Sequence, residues 1–130
     1  MPPLTGLLET ALYVEDPVLS AAFYRDLFAF ETIVESERLI AMAMPNRQVL
    51  LLFKKGLSSA LPVPHDGQGQ SHVAWAIPTD SLSDWERRLS DLAMPILERT
   101  TWPRGGTSLY FRDPDGHLLE LATPGVWTIY

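Results

Sequence analysis

A chain of 130 residues with 46% apolar side chains is the size of one domain and can bury a core without covalent staples. The absence of cysteine excludes disulfides, thiolate metal sites and a cysteine nucleophile. A formal charge of −6, with no Lys/Arg run longer than a pair, argues against nucleic acid or an anionic membrane surface as a partner.

The opening residues, MPPLTG, carry neither the basic region nor the apolar stretch of a signal peptide, and the longest aliphatic run, residues 49–53 (VLLLF), is too short to cross a bilayer. The expectation is a soluble, cytoplasmic protein. Residues 7–14 (LLETALYV) alternate as a strand. Asp16 then caps, and Pro17 opens, a helix running to about residue 28, with Val18, Ala21, Ala22, Tyr24 and Leu27 near helical spacing. Three short strands follow at 32–34, 39–44 and 48–53, punctuated by ESE at 35–37 and by Pro45 and Asn46. A polar connection containing Pro and Gly spans 56–69. The series then restarts with a strand at 71–77 (SHVAWAI) and a helix at 80–92, whose Leu82, Trp85, Leu89 and Leu92 share a face. Closing strands are expected at 95–102, 107–111 and 117–121. Between the last two, Asp113, Pro114, Asp115 and Gly116 read as a turn, because Pro fixes φ and Gly accepts positive φ.

The two halves align with each other. GLLETALYV (6–14) lies over GQSHVAWAI (69–77), which equates Glu9 with His72; RQVLLLFKKG (47–56) lies over GHLLELATPG (116–125), which equates Leu51 with Glu120. The architecture expected is α+β: a single domain, 1–130, of two tandem βαβββ modules at about 6–56 and 69–125.

Alternation along a strand decides which side chains share a face. Glu9, Ala11 and Tyr13 oppose Thr10, Leu12 and Val14, the side that would pack on the helix. His72, Ala74 and Ala76 occupy the equivalent face of the second module, and Leu118, Glu120 and Ala122 share a face in the last strand. Three polar groups of metal-ligand type thus fall on the face away from the helices, with small alanines leaving space beside them. They suggest a cavity lined by Glu9, His72 and Glu120.

The segments LLETALYVEDPVLSAAFYRDLFAFE, SHVAWAI and GGTSLYFRDPDGHLLEL together resemble the vicinal oxygen chelate superfamily of glyoxalase I, fosfomycin and bleomycin resistance proteins and extradiol dioxygenases. The likeness covers nearly the whole chain, and YFRDPDGHLLEL is its most specific part. It implies that each module is half of an incomplete barrel and that the chain forms a homodimer. The cavities would then lie between the first module of one subunit and the second of the other. It further implies metal ligands at the positions of Glu9, His72 and Glu120, and a substrate-side environment around Ser108 and Tyr110. Four departures limit the match. Many metal-using members carry His or Gln at the first ligand position, where Glu9 stands here. Leu51 stands where glyoxalase I has a fourth carboxylate, and no arginine follows the last strand where fosfomycin transferases bind phosphonate. Extradiol dioxygenases use two histidines and one carboxylate, the reverse of the set here.

Two carboxylates and one imidazole would neutralise and hold a divalent ion (Mn, Fe, Co, Ni or Zn) and leave positions open for a small oxygenated substrate. In that reading Glu120 is also catalytic, Tyr110 and Ser108 border the substrate, and Arg104, in the loop PRGG, reaches an anionic group. Plainer readings stand beside these: Glu120 as a paired structural acid, His72 as a core histidine, Tyr110 as packing and Arg104 as a solvated loop residue. His65 and His117 read as surface or hydrogen-bonding residues, and Trp75, Trp85 and Phe111 as core. Two functions follow. One is a glyoxalase- or dioxygenase-like metal-dependent enzyme of lyase, isomerase, transferase or dioxygenase type acting on a small metabolite or xenobiotic. The other is a metal-free binding protein, like the bleomycin resistance proteins, that sequesters a ligand at a dimer groove.

Overall fold

In the computed structural model, which describes residues 1–130, the chain divides into two compact units, 1–69 and 70–130. The first contains β1 (Glu9–Val14), α1 (Pro17–Phe28), β2 (Glu31–Glu35), β3 (Leu39–Met44) and β4 (Gln48–Lys54). The second contains β5 (His72–Ala76), α2 (Leu82–Asp91), β6 (Glu98–Thr101), β7 (Thr107–Arg112) and β8 (Leu118–Ala122). Each unit is therefore a βαβββ module, and the fold is α+β as the sequence predicts. The sheet orders are β1-β4-β3-β2 and β5-β8-β7-β6, with the first two strands of each order parallel and the rest antiparallel. Register supports the duplication as well. Ala11 pairs with Leu51 in the first sheet and Ala74 with Glu120 in the second, the same positions that the internal alignment equates.

Local chemistry accounts for the element ends. The Asp16 carboxylate accepts from the backbone N–H groups of Val18 (3.0 Å) and Leu19 (3.3 Å), two donors that the first turn of α1 leaves unpaired. Pro17 follows at the first turn, where its missing N–H costs nothing. Ala29 ends the helix in the left-handed conformation, φ 59°, its N–H bonded to Arg25 O. The buried stripe of α1 is Pro17, Ser20, Ala21, Tyr24 and Leu27. Val18, expected on that stripe, is exposed, because it lies one position off the spacing that Pro17, Ala21 and Tyr24 set. α2 starts later than expected, at Leu82, after a 3-10 turn over Thr79–Ser81 in which Ser81 N bonds Pro78 O at 3.1 Å. β6 likewise begins at Glu98 rather than at 95, since Pro95 has no N–H to give the ladder.

In the first unit the core lies between α1 and its sheet: Leu12, Ile40, Met42, Leu50 and Leu52 meet Tyr24 and Leu27, all at most 2% exposed. In the second unit Leu109, Phe111, Leu119 and Leu121 fill the corresponding face, with Leu89 from α2 fully buried. Trp75 pairs with Leu121 and shares its face, yet both Trp75 and Trp85 are only half-buried; of the three aromatic residues expected in the core, Phe111 alone is wholly inside. No helix is long and apolar enough to cross a membrane.

The turn between β7 and β8 fixes the strand that carries Glu120. Asp113 is 5% exposed, and its Oδ1 accepts from the N–H groups of Asp115 and His117, each at 2.9 Å. Gly116 takes φ +82°, a conformation that L side chains rarely adopt. His117, buried rather than at the surface, accepts from Ser71 N through Nδ1 at 2.9 Å and so ties the start of β5 to the hairpin.

Candidate functional site

One face of the second sheet collects the polar residues singled out from sequence. Glu120 on β8 lies beside Ala74 on β5 and opposite Tyr110 on β7, and Ser108 pairs with Ala122. The alternation that buries Leu119 and Leu121 on one side turns Glu120 to the other. There its carboxylate is engaged twice. Oε1 lies 3.1 Å from His72 Nε2, and Oε2 accepts from Ser108 Oγ at 2.5 Å. Ser108 Oγ in turn accepts from Trp102 Nε1 at 2.8 Å.

The far side of the His72 ring determines what the near side can do. Nδ1 lies 2.9 Å from Leu118 O. A carbonyl oxygen only accepts, so Nδ1 carries a hydrogen, and in the neutral ring Nε2 then bears a lone pair. That lone pair faces the Glu120 carboxylate across 3.1 Å. Two electron-rich atoms at that separation need a cation or a proton between them. With an imidazole and a carboxylate converging, and the imidazole oriented by a carbonyl behind it, the pair has the chemistry of two metal donors with an outer shell.

Burial pushes the Tyr110 phenol above its ordinary range, and the Glu120 charge adds to the rise. Tyr110 is thus a neutral hydroxyl near neutral pH, with its ring centroid 6.4 Å from that of His72. These groups border a cavity of about 460 Å³ whose wall also includes Trp102, Val126, Trp127, Ile129 and Tyr130. The last four follow β8 as GVWTIY, a run too short and irregular for strand or helix periodicity to assign to a site. Their signal was composition: aromatic and aliphatic residues directly after a closing strand.

The remaining expected site residues lie elsewhere. Glu9 is exposed in the first unit, at the edge of a shallower cavity of about 300 Å³ bordered by Tyr13, Leu51, Phe53 and His65. His65 Nδ1 lies 2.7 Å from the Tyr13 hydroxyl, and its ring stands edge-on to Phe53 at 4.5 Å, the hydrogen-bonding role expected of it. Leu51 takes the place of Glu120 in this unit, which therefore has no imidazole–carboxylate pair. Within the chain no three His, Asp or Glu side chains gather as a metal site. Arg104 is exposed in the turn after Trp102 and is not part of the cavity wall, so the structure does not bring it to the substrate side.

Comparison with known proteins fits this geometry. Residues 6–121 match the Glyoxalase/Bleomycin resistance protein/Dioxygenase superfamily. The chain belongs to that superfamily. Among characterised relatives of this superfamily member, metallothiol transferase FosB of Bacillus licheniformis is 29% identical over 125 residues, covering 95% of this chain and 79% of the relative. FosB of Staphylococcus saprophyticus is 32% identical over 111 residues, 85% of this chain and 71% of the relative. The crystal structure of lactoylglutathione lyase from Agrobacterium tumefaciens matches with a TM-score of 0.89 at 32% identity, over 97% of this chain and 98% of that one.

Proposed function

We propose that this superfamily member is a metal-dependent enzyme that binds a small oxygenated molecule in the cavity of its second unit. The observation that carries the reading is the His72–Glu120 pair, two lone-pair-bearing atoms 3.1 Å apart at the polar end of that cavity. A divalent ion would be held by His72 and Glu120, with Glu9 of a second copy as third ligand in a homodimer. It would supply Lewis-acid stabilisation of negative charge on a substrate oxygen. The chain's own residues do the rest. Leu118 O fixes the His72 ring, Ser108 orients the Glu120 carboxylate, and the Tyr110 hydroxyl stands ready to donate to a substrate oxygen. Relatives named as a transferase and a lyase support an enzyme in preference to a passive binder.

Exposed apolar side chains favour the homodimer. Leu7, Leu8, Ile33 and Val34 are each more than half exposed, surface that a second copy could cover. A metal-free binding protein is the second reading. It is favoured by the same pair, since a protonated His72 would close on Glu120 as a plain ion pair.

Calorimetric titration with Mn²⁺ decides between them. The parent is expected to bind one ion per subunit. Glu120→Gln keeps the shape but loses the charge, and should weaken binding by more than the roughly 10–100-fold that loss of an outer-shell partner costs. Glu9→Gln should weaken it too, and sedimentation should give twice 14.6 kDa. Equal Mn²⁺ affinity in Glu120→Gln and parent, or no specific site in the parent, would leave the binding protein standing.

A further inference from the structure

The internal repeat shows where the two units differ in chemistry. Tyr13 and Phe53 stand at the positions of Ala76 and Ala122, so the sheet face that is bare in the second unit carries two stacked rings in the first, their centroids 5.7 Å apart. His65 closes over them from the 56–69 connection, with Nδ1 2.7 Å from the Tyr13 hydroxyl. We propose that the first-unit cavity is a proton-transfer site, in which Tyr13 and His65 relay a proton from a small neutral molecule carrying an acidic O–H or C–H bond. The relay needs no metal ion and does not rest on the reading above.

The connection holds the imidazole in place from several sides. His65 N donates to Ser58 O at 3.2 Å, and the buried Ser58 Oγ accepts from Arg38 Nη1 at 2.9 Å. The Arg38 guanidinium in turn lies 5.4 Å from the centre of the Phe53 ring. Asp66 Oδ1 accepts from Gly56 N at 3.2 Å and from Gly67 N at 2.9 Å, which closes the loop around His65. Gly67 lies so near Tyr13 that a Cβ there would stand 2.4 Å from the ring. Both members of the pair are therefore fixed by packing before any ligand arrives, as a site for chemistry requires.

Both members are also amphoteric. A hydroxyl donates and accepts, and each nitrogen of a neutral imidazole does one or the other, so the 2.7 Å contact holds with the proton on either side and with no charge separated. When a bound molecule gives its proton to the Tyr13 oxygen, the hydroxyl's own proton moves to His65 Nδ1. One X–H bond breaks and an O–H bond forms, while the original O–H bond breaks and an N–H bond forms. The electron pair stays on the molecule as an anion, and the imidazolium carries the balancing charge. Imidazole suits that role near neutral pH. The cavity favours a small neutral partner: it measures about 300 Å³, Ala11, Leu51 and Phe53 are apolar, and the Glu9 carboxylate repels an incoming anion.

Nitroethane tests the relay, because its CH₂ protons exchange with D₂O when a base removes them, an event that NMR follows directly. The purified protein, as isolated and again with EDTA, should exchange them faster than free imidazole at equal concentration. Tyr13→Phe keeps the stacked ring and removes only the hydroxyl, whereas His65→Gln removes the imidazole. Each should slow the protein-catalysed exchange by at least about 100-fold, within the range for loss of a positioned acid–base group, and the double variant should be no slower than the slower single one. A pair that only latched the loop would lose stability to urea in His65→Gln yet leave Tyr13→Phe at the parental exchange rate. That outcome, or no excess over imidazole in the parent, overturns the proposal. So does exchange that survives His65→Gln and vanishes in Glu9→Gln, which makes the carboxylate the base, or exchange lost with EDTA, which assigns it to a bound ion. The metal reading is decided separately, by the Mn²⁺ titration, so either can fail without the other.

Discussion

Ser108 Oγ donates to Glu120 Oε2 at 2.5 Å while accepting the indole N–H of Trp102 at 2.8 Å, so one hydroxyl both orients the carboxylate and occupies the indole. Both Ser108 and Glu120 are buried. Ser108→Ala would release the carboxylate and strip the Trp102 N–H of its acceptor. Mn²⁺ affinity should fall roughly 10–100-fold, the range for removal of an outer-shell partner. Stability should fall by about 1–3 kcal/mol, the range for a donor left unsatisfied. Ser108→Thr, which keeps the hydroxyl, should recover most of both. Calorimetry with urea denaturation checks the pair; unchanged Mn²⁺ affinity in Ser108→Ala would mean that something else orients Glu120.

The Asp113 carboxylate holds the β7–β8 turn through two backbone N–H groups, and that turn reaches the site through His117 and Ser71, next to His72. Asp113→Ala leaves both donors without their acceptor and should cost about 2–3 kcal/mol in urea denaturation, as for bonds to an ionised group. Asp113→Asn retains an acceptor oxygen and should cost less. If the two variants were equally stable, the turn would not depend on the carboxylate's hydrogen bonds.

Strand alternation made half of the site legible in the sequence. The repeat equated Glu9 with His72 and Leu51 with Glu120, and the register of the two parallel strand pairs agrees, because pairing position and face both follow from the period of two. His72, Glu120, Ser108 and Tyr110 come together for that reason. Trp102 and the segment 126–130 lie in a turn and an irregular tail, where no period exists to assign a face. Trp75 misled in the opposite direction. It alternates correctly onto the helix side with Leu121, but it sits on the edge strand β5, where burial is only partial. Arg104 illustrates the limit for loops, since a turn residue's direction is set by contacts that spacing does not encode.

Close backbone approach shapes the cavity wall. A Cβ on Gly106 would stand 2.5 Å from Gly125 C and 2.7 Å from Val126 N, both backbone atoms that cannot rotate away. Gly106→Ala should therefore cost about 1–3 kcal/mol, as overpacking does, and push the 126–130 segment outward. Amide hydrogen exchange at Trp127 and Tyr130, whose N–H groups bond Tyr130 O and Trp127 O, should accelerate. Gly56→Ala is the control: nothing lies within 4 Å of a Cβ there, so its φ of +84° brings strain of only about 1 kcal/mol and no change in that segment's exchange. Equal exchange in Gly106→Ala and parent would sever the wall from the glycine contact.

Tyr130 fastens the same segment to the sheet. Its hydroxyl donates to Ala122 O at 2.8 Å and to Ile77 O at 3.3 Å, bonds that exist only while the phenol keeps its proton. Burial raises the pKa of the phenol above its ordinary value of 10.0. The sign of the consequence follows from proton counting. Below about pH 10 the folded and unfolded states both hold the proton, and the contribution is fully present. As pH rises from there through the higher folded-state pKa, the unfolded state releases its proton first, so unfolding is increasingly favoured and the contribution is lost. Tyr130→Phe has no such proton. Its stability at neutral pH should be lower by about 1 kcal/mol, the usual net value of a neutral hydrogen bond, since Ala122 O keeps its bond from Ile77 N. Its stability should also fall less steeply than the parent's above pH 10, with the slope due to Tyr110 remaining in both. Urea denaturation of parent and variant across the alkaline range measures the difference. Parallel profiles would mean that the Tyr130 hydroxyl is not held in the folded protein, and that the wall it fastens is open in solution.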